Sequence, residues 1–255
     1  MKVLFLSDLH LGADYISDHR AHELSACRFL SEKGKDADHI FLLGDVLDYW
    51  FEYREVVPKG FIRFFGTLAQ LADSGVKITW LTGNHDIWLF GYLRDELGVD
   101  IVDRPYYRTE IGGKSFILAH GDRVGRPDFS FRLISSLFRN AVCQKLFSAV
   151  HPRWTVPFAH KWSRSSRYSH ELTEPHRHAV VEKIITDAEI LITNTGLCDY
   201  LIMGHHHFEI DERIADRQCR LIVLGDWINK FSYAEFDGDT VTLNRYYTGI
   251  KSFEK

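Results

Sequence analysis

With 255 residues, 45% of them apolar, 26% charged and only 6 prolines, the chain has the make-up of a globular protein of one large or two small domains. That excludes a disordered tail, a collagen and a disulfide-stapled miniprotein. The net charge of −4 names no partner, but it averages two unlike parts: nine Lys and Arg in residues 123–167 face a single acid, Asp128, an excess of eight positive charges that leaves twelve negative ones on the rest.

In chain order, the first predicted element is the short apolar run Val3–Leu6, which has strand length and stops at Ser7-Asp8-Leu9-His10. It is too short for a signal-peptide core, and no stretch approaches the roughly 20 apolar residues of a membrane span. A helical pattern over 21–32 precedes the run 40–43, which stops at Gly44-Asp45. A second helical pattern over 61–73 leads to the run 76–81 and then Gly83-Asn84-His85-Asp86. Residues 88–97, closed by Gly98, read as a third helix. The runs 116–119 and 201–203 stop at His120-Gly121-Asp122 and Gly204-His205-His206-His207. Between them, 129–162 has mostly helical apolar spacing with interspersed cations, and 174–189 reads as another helix. The chain returns to strands at 221–224, 233–236 and 241–247, with Asp237-Gly238-Asp239 as a hairpin turn. Strand and helix alternation predicts an α/β fold in which ligands sit beyond the carboxyl ends of the strands. Cys27, Cys143, Cys198 and Cys219 are dispersed without a CxxC pair, the pattern of free buried thiols in a reducing cytosol.

Taken singly, a strand-end Asp is usually a cap or turn residue and a lone His is usually structural. Five clusters of His, Asp and Asn at successive strand ends are a different matter. Their carboxylate, imidazole and amide oxygen donors suit Mn²⁺, Fe, Zn²⁺ or Mg²⁺, and the lack of sulfur speaks against a structural zinc site.

Together, Asp8-x-His10, Gly44-Asp45-x-x-Asp48, Gly83-Asn84-His85-Asp86, His120-Gly-Asp122 and Gly204-His205-x-His207 resemble the calcineurin-like metallophosphoesterase signature, in order and in strand-end context. The resemblance implies a four-layer α/β/β/α sandwich with a helical lid insertion and a centre of two divalent ions, Mn²⁺ foremost. By the same resemblance, one ion is held by Asp8, His10, Asp45 and His207, the other by Asp45, Asn84, His120 and His205, with Asp45 as bridge. Asn84 and His85 become catalytic residues, His85 contacting the scissile phosphate or protonating the leaving group. The catalytic domain would span 1–122 and 175–255, with 123–174 as the lid. Asp48 is expected to support the metal loop or a ligand imidazole, Asp86 and Asp122 to orient His85 and their own loops, and His206 to face solvent. Asp226 is expected either beside a ligand or simply in a turn.

Within that family, the opening Ser7-Asp8-Leu9-His10-Leu11 and the basic, aromatic-rich insert resemble the bacterial UDP-2,3-diacylglucosamine hydrolases of lipid A synthesis. That resemblance implies a cytoplasmic enzyme cleaving a diphosphate to UMP and a diacylated sugar phosphate, with acyl chains under the lid and peripheral contact with the anionic inner membrane. Asn84, His85, Asp128, Ser163, Ser166, Arg167 and His205 would contact this glycolipid nucleotide. Many of those hydrolases carry Gly-Asn-Arg-Asp where this chain has Gly83-Asn84-His85-Asp86. A nuclease or phosphodiesterase acting on another nucleotide is the alternative, and the acidic remainder of the chain argues against a nucleic-acid partner. A metal-free protein-binding scaffold should have lost ligands, and none of the expected ones is missing.

Overall fold

The computed structural model describes residues 1–125, 129–157, 174–247, 249–250 and 252–254. Strand β1 (Val3–Leu6) is buried along its whole length, as a strand covered on both faces must be. It lies inside a six-stranded sheet ordered β11 (Val241–Arg245), β10 (Ser232–Phe236), β1, β2 (His39–Leu43), β3 (Lys77–Leu81), β4 (Asp100–Val102). Strands β1 to β4 are parallel, and β10 pairs antiparallel with β1 in the register Leu4 to Glu235. The second sheet is ordered β5 (Tyr107–Ile111), β6 (Lys114–Ala119), β7 (Tyr200–Met203), β9 (Cys219–Val223), β8 (Ile210–Ile214), with β6, β7 and β9 parallel.

Side-chain alternation sorts the apolar residues into layers. Val3, Phe5, Phe41 and Leu43 of the first sheet meet Phe116, Leu118, Tyr200 and Ile202 of the second, and Phe5 stacks against both Phe41 and Phe116. On its other face, the first sheet packs Leu4, Leu6, Ile40 and Leu42 against α1 (His19–Lys33) and α2 (Ile62–Asp73) through Phe29, Leu30, Phe64 and Leu68. The outer face of the second sheet packs Ile117, Leu201, Met203 and Leu221 against Ile184, Ala188 and Ile192 of α6 (Glu174–Thr195). The result is the expected α/β/β/α order.

Several expectations need correction. The helix read over 88–97 is only α3 (Tyr92–Leu97), because the Glu52 carboxylate accepts the N–H groups of Phe90, Gly91 and Tyr92 at 2.5, 2.7 and 3.1 Å. Three donors fixed by one distant acid start the helix late. Strands β4, β5 and β8 escaped the sequence because β4 is only three residues long, β5 exposes alternate polar residues, and β8 exposes Asp211, Glu212 and Arg213 in succession. Cys143 is half-buried, unlike the other three thiols; Cys198 and Cys219 lie with Sγ atoms 3.4 Å apart and are free.

The segment between β6 and α6 contributes α4 (Phe129–Arg139), α5 (Ala141–Ser148), whose first turn is capped by Asn140, and helical residues 152–157. Its inner side joins the body at Trp88. That indole donates to the Phe138 carbonyl at 2.9 Å, stacks on Phe147 at 4.9 Å and meets Phe51 edge-on. Tyr53 and Thr155 add a hydroxyl contact at 2.9 Å. The outer side leaves Leu133, Leu137, Val142, Leu146 and Trp154 more than half exposed. No helix among the described residues is long and apolar enough to cross a membrane.

The Trp88 junction makes a prediction. Trp88→Ala removes a nearly buried indole and is expected to destabilise the protein by about 3–5 kcal/mol in thermal unfolding. It should also admit protease within residues 129–157 before the sandwich opens; unchanged protection of that segment would contradict this docking.

Candidate metal centre

The carboxyl ends of β1, β2, β3, β6 and β7 converge, and their loops are stitched together by main-chain bonds. Asp8 N–H donates to the Gly44 carbonyl at 3.1 Å, His10 N–H to the Asp45 carbonyl at 2.9 Å and Gly204 N–H to the His120 carbonyl at 2.8 Å. The turns are tight enough that Asp8, His10, Asp45, His205 and His207 all sit at positive φ, between 46° and 71°. Each such residue costs on the order of 1–2 kcal/mol, a strain that clusters at functional sites. Loop contact leaves no room for a Cβ at Gly83, which would strike Asp45, or at Gly204, which would strike Ser7 and Asp8.

This geometry gathers the side chains into three overlapping groups: Asp8, His10 and His207; His10, Asp45 and His85; Asp45, His120 and His205. Asp8 Oδ1 lies 3.3 Å from His207 Nε2 and 3.8 Å from His10 Nε2, and those two imidazole nitrogens are 3.2 Å apart. Asp45 Oδ2 lies 3.3 Å from His120 Nε2, 3.8 Å from His10 Nε2 and 3.9 Å from His85 Nε2. One carboxylate oxygen thus faces both histidine sets. Asn84 Oδ1 joins the second set, 3.2 Å from His120 Nε2.

Three observations test whether these donors suit a cation. His120 Nδ1 is 2.8 Å from the Leu43 carbonyl, which can only accept, so the neutral ring presents its Nε2 lone pair to the centre. His10 is set the same way by Asp48 Oδ1, 3.3 Å from Nδ1. Among the described residues Asp8 Oδ1 is buried with no hydrogen-bond partner, a costly position for a carboxylate oxygen unless positive charge faces it. The mixture of imidazole, carboxylate and amide oxygen fits divalent ions.

Protonation follows from the same proximity. Burial alone would lower His10, but hydrogen bonds to Asp48 and Asp8 and the charge of Asp45 raise it to about 10. His120 is opposed by burial in the same way, and Asp45 and Asp8 carry it to about 10. Burial works to raise Asp8 and Asp45, yet the surrounding imidazoles hold both well below the usual carboxylate range. His205 goes the other way, lowered to about 4 by burial and the neighbouring His120 charge.

The supporting residues depart in part from expectation. Asp48 does hold His10, and it also holds His85, whose Nδ1 donates to the Asp48 carbonyl at 3.1 Å. Asp86 does not touch the His85 ring. Its carboxylate instead accepts from the N–H groups of Gly83, Asp45 and Val46 and from the Trp80 indole, tying the β2 and β3 loops together. Asp122 faces Arg123 and Arg139, at 4.0 and 3.9 Å. His206 is half-buried against His205 rather than solvent-facing, and is in none of the three groups. Asp226 fills both of its expected roles: Oδ1 caps the turn at Ile228 and Asn229, and Oδ2 stands 4.0 Å from His207 Nδ1. Sequence reasoning missed Lys230, which donates to the His207 carbonyl at 2.8 Å; only its position four residues after Asp226 hinted at it. Asp128, Ser163, Ser166 and Arg167 lie outside the described residues.

Comparison with known proteins identifies the family. Residues 1–209 match the family model for calcineurin-like phosphoesterase. A protein of Porphyromonas gingivalis named UDP-2,3-diacylglucosamine hydrolase is 40% identical, over 95% of this chain and 96% of its own. Relatives of the same name in Nitrosococcus oceani and Stenotrophomonas maltophilia are each 28% identical, covering 89% and 96% of this chain and 88% and 98% of theirs.

The raised histidines predict how ion binding depends on pH. A divalent ion must displace the protons held on His10 and His120, which stay bound until the pH approaches about 10. Affinity for Mn²⁺ should therefore climb from about pH 6 to pH 9, with proton release visible by calorimetry in buffers of different ionisation heat. A flat affinity over that range would contradict the assignment of these two rings.

Proposed function

The chain belongs to the calcineurin-like phosphoesterase family, and from that premise we propose that it hydrolyses the diphosphate of UDP-2,3-diacylglucosamine to UMP and 2,3-diacylglucosamine 1-phosphate. The observation that carries this reading is the Asp45 carboxylate oxygen facing two histidine sets, in a chain whose relatives across nearly its full length bear that enzyme's name.

Asp8, His10, Asp45 and His207 would hold one ion, and Asp45, Asn84, His120 and His205 the other. Divalent ions bound there supply Lewis-acid charge that activates water and stabilises phosphoryl oxygens during displacement at phosphorus. Mn²⁺ is the ion proposed for this oxygen and nitrogen donor set. His85 does the proton work. Because its Nδ1–H is committed to the Asp48 carbonyl, Nε2 is the atom left to face the reacting phosphate, and it gives a proton to the leaving oxygen from the doubly protonated ring. Asn84, beside it, serves as ion ligand and phosphate contact, and His205 meets the substrate from the opposite sheet.

The insert suits a substrate that is both anionic and acylated. Leu133, Leu137, Val142 and Leu146 present apolar surface on helices that also carry Arg132 and Lys145. We assign to this region the acyl chains and contact with the anionic cytoplasmic face of the inner membrane. Asp128, Ser163, Ser166 and Arg167 are the proposed contacts to the glucosamine and diphosphate.

The test is direct: purified protein with Mn²⁺ and UDP-2,3-diacylglucosamine should release UMP, and chelation should stop it. Asp45→Ala should cost more than the roughly 10–100-fold that loss of a mere supporting partner costs. His85→Ala should lower kcat by roughly 10²–10⁴-fold while the protein still binds Mn²⁺. Absence of UMP release from the intact, Mn²⁺-loaded protein would overturn the substrate assignment.

A further inference from the structure

Arg139 closes α4 and turns inward instead of toward solvent. One guanidinium nitrogen donates to Asp103 Oδ1; the other lies 3.4 Å from the Gly83 carbonyl and 3.9 Å from Asp122 Oδ2. These groups come from three different strand-end loops. Gly83 immediately precedes Asn84, Asp122 follows His120 by two residues, and Asp103 lies just after β4, where it accepts from Thr82 Oγ1 at 2.9 Å. Arg123 joins the cluster 3.2 Å from Asp103. Asp122 is almost wholly buried, and its Oδ2 has no hydrogen-bond partner among the described residues, nor does the Nε of Arg139.

A network of two cations with one buried acid, Asp122, and one exposed acid, Asp103, adds little net stability, because solvent screening and desolvation offset attraction; its use is to fix geometry. The planar guanidinium fork is suited to that task. It holds divergent acceptors at set angles, which a single ammonium does not. Its contacts also fall on one side of the candidate centre: they touch the loops that carry Asn84 and His120, and none touches Asp8, His10 or His207.

We propose that Arg139 is a positioning residue for one of the two ions: by gripping the loops after β3, β4 and β6 it holds Asn84 and His120 as donors, making the insert part of that site. The proposal rests on the two-ion reading above.

It is tested by Mn²⁺ titration calorimetry on metal-stripped protein in two backgrounds. His207→Ala disables the Asp8 and His10 set, and His205→Ala disables the Asn84 and His120 set. Arg139→Met should weaken Mn²⁺ binding by about tenfold or more in the His207→Ala background and by no more than about twofold in the His205→Ala background. Asp103→Asn, a milder change to the same grip, should move the affinities in the same selective direction and serves if Arg139→Met fails to fold in a thermal melt. Equal weakening in both backgrounds would mean a merely structural role, and tighter binding would mean that Arg139 is only a repelling charge; either overturns the proposal, as does no change. If the unmutated protein binds fewer than two Mn²⁺ ions, the two-ion reading fails and this proposal falls with it. If it binds two and neither variant is selective, only this proposal fails.

Discussion

Asp45 is the constraint around which the rest is arranged. Its side chain is 2% exposed, and an ionised carboxylate so placed is costly unless charge and hydrogen bonds meet both oxygens. Oδ1 accepts the His85 N–H at 2.9 Å, while Oδ2 looks toward the rings of His120, His10 and His85. The backbone beneath it is held by Asp86, which accepts the N–H groups of Asp45 and Val46. A second acid buried to tie the loop of the first to the β3 loop makes sense if the position of the first matters more than the cost of burying both. Divalent cations between the two histidine sets are the complement that such a carboxylate calls for.

The sandwich exists, in this sense, to bring two half-sites together. Parallel strands β1, β2 and β3 of the first sheet deliver Asp8, His10, Asp45, Asn84 and His85; β6 and β7 of the second deliver His120, His205 and His207. In the proposed two-ion assignment, neither sheet holds a full donor set for either ion. Their separation is set by the inner apolar layer, where Phe5 meets Phe116 at 5.9 Å, and then refined at the seam. There His205 N–H donates to Asp8 Oδ2 at 2.8 Å and the His120 ring donates across to the Leu43 carbonyl. Aromatic packing supplies the coarse distance and hydrogen bonds the fine one.

This division explains what could be read from the sequence. Each donor follows a short apolar run that stops abruptly, so strand and ligand announce each other within about ten residues, as short continuous apolar runs bounded by polar residues do. Long-range partners carry no such local mark. Nothing near residue 92 says that Glu52 will cap α3, so the helical pattern over 88–97 begins four residues before the helix itself. Asp86 beside His85 suggested a ring contact, whereas the backbone turns its carboxylate inward to the β2 loop and leaves the ring to Asp48. Edge strand β8, with three exposed polar residues in five, has no apolar face long enough to be seen.

The uneven charge along the chain also acquires a direction. Two of the insert region's cations, Arg123 and Arg139, are spent inward on Asp103 and Asp122, next to loops of the candidate centre. They therefore attract no distant anion; their charge is already matched. The inner side of α4 and α5 adds Phe138 and Phe147 to the cluster around Trp88, while the outer side keeps Leu133, Leu137, Val142 and Leu146 exposed. The insert is thus joined to the body by two unlike forces, an aromatic contact that tolerates small shifts and an ion network that does not. Because the second is directional and grips the Gly83 carbonyl, any displacement of α4 must be felt one residue away, at Asn84.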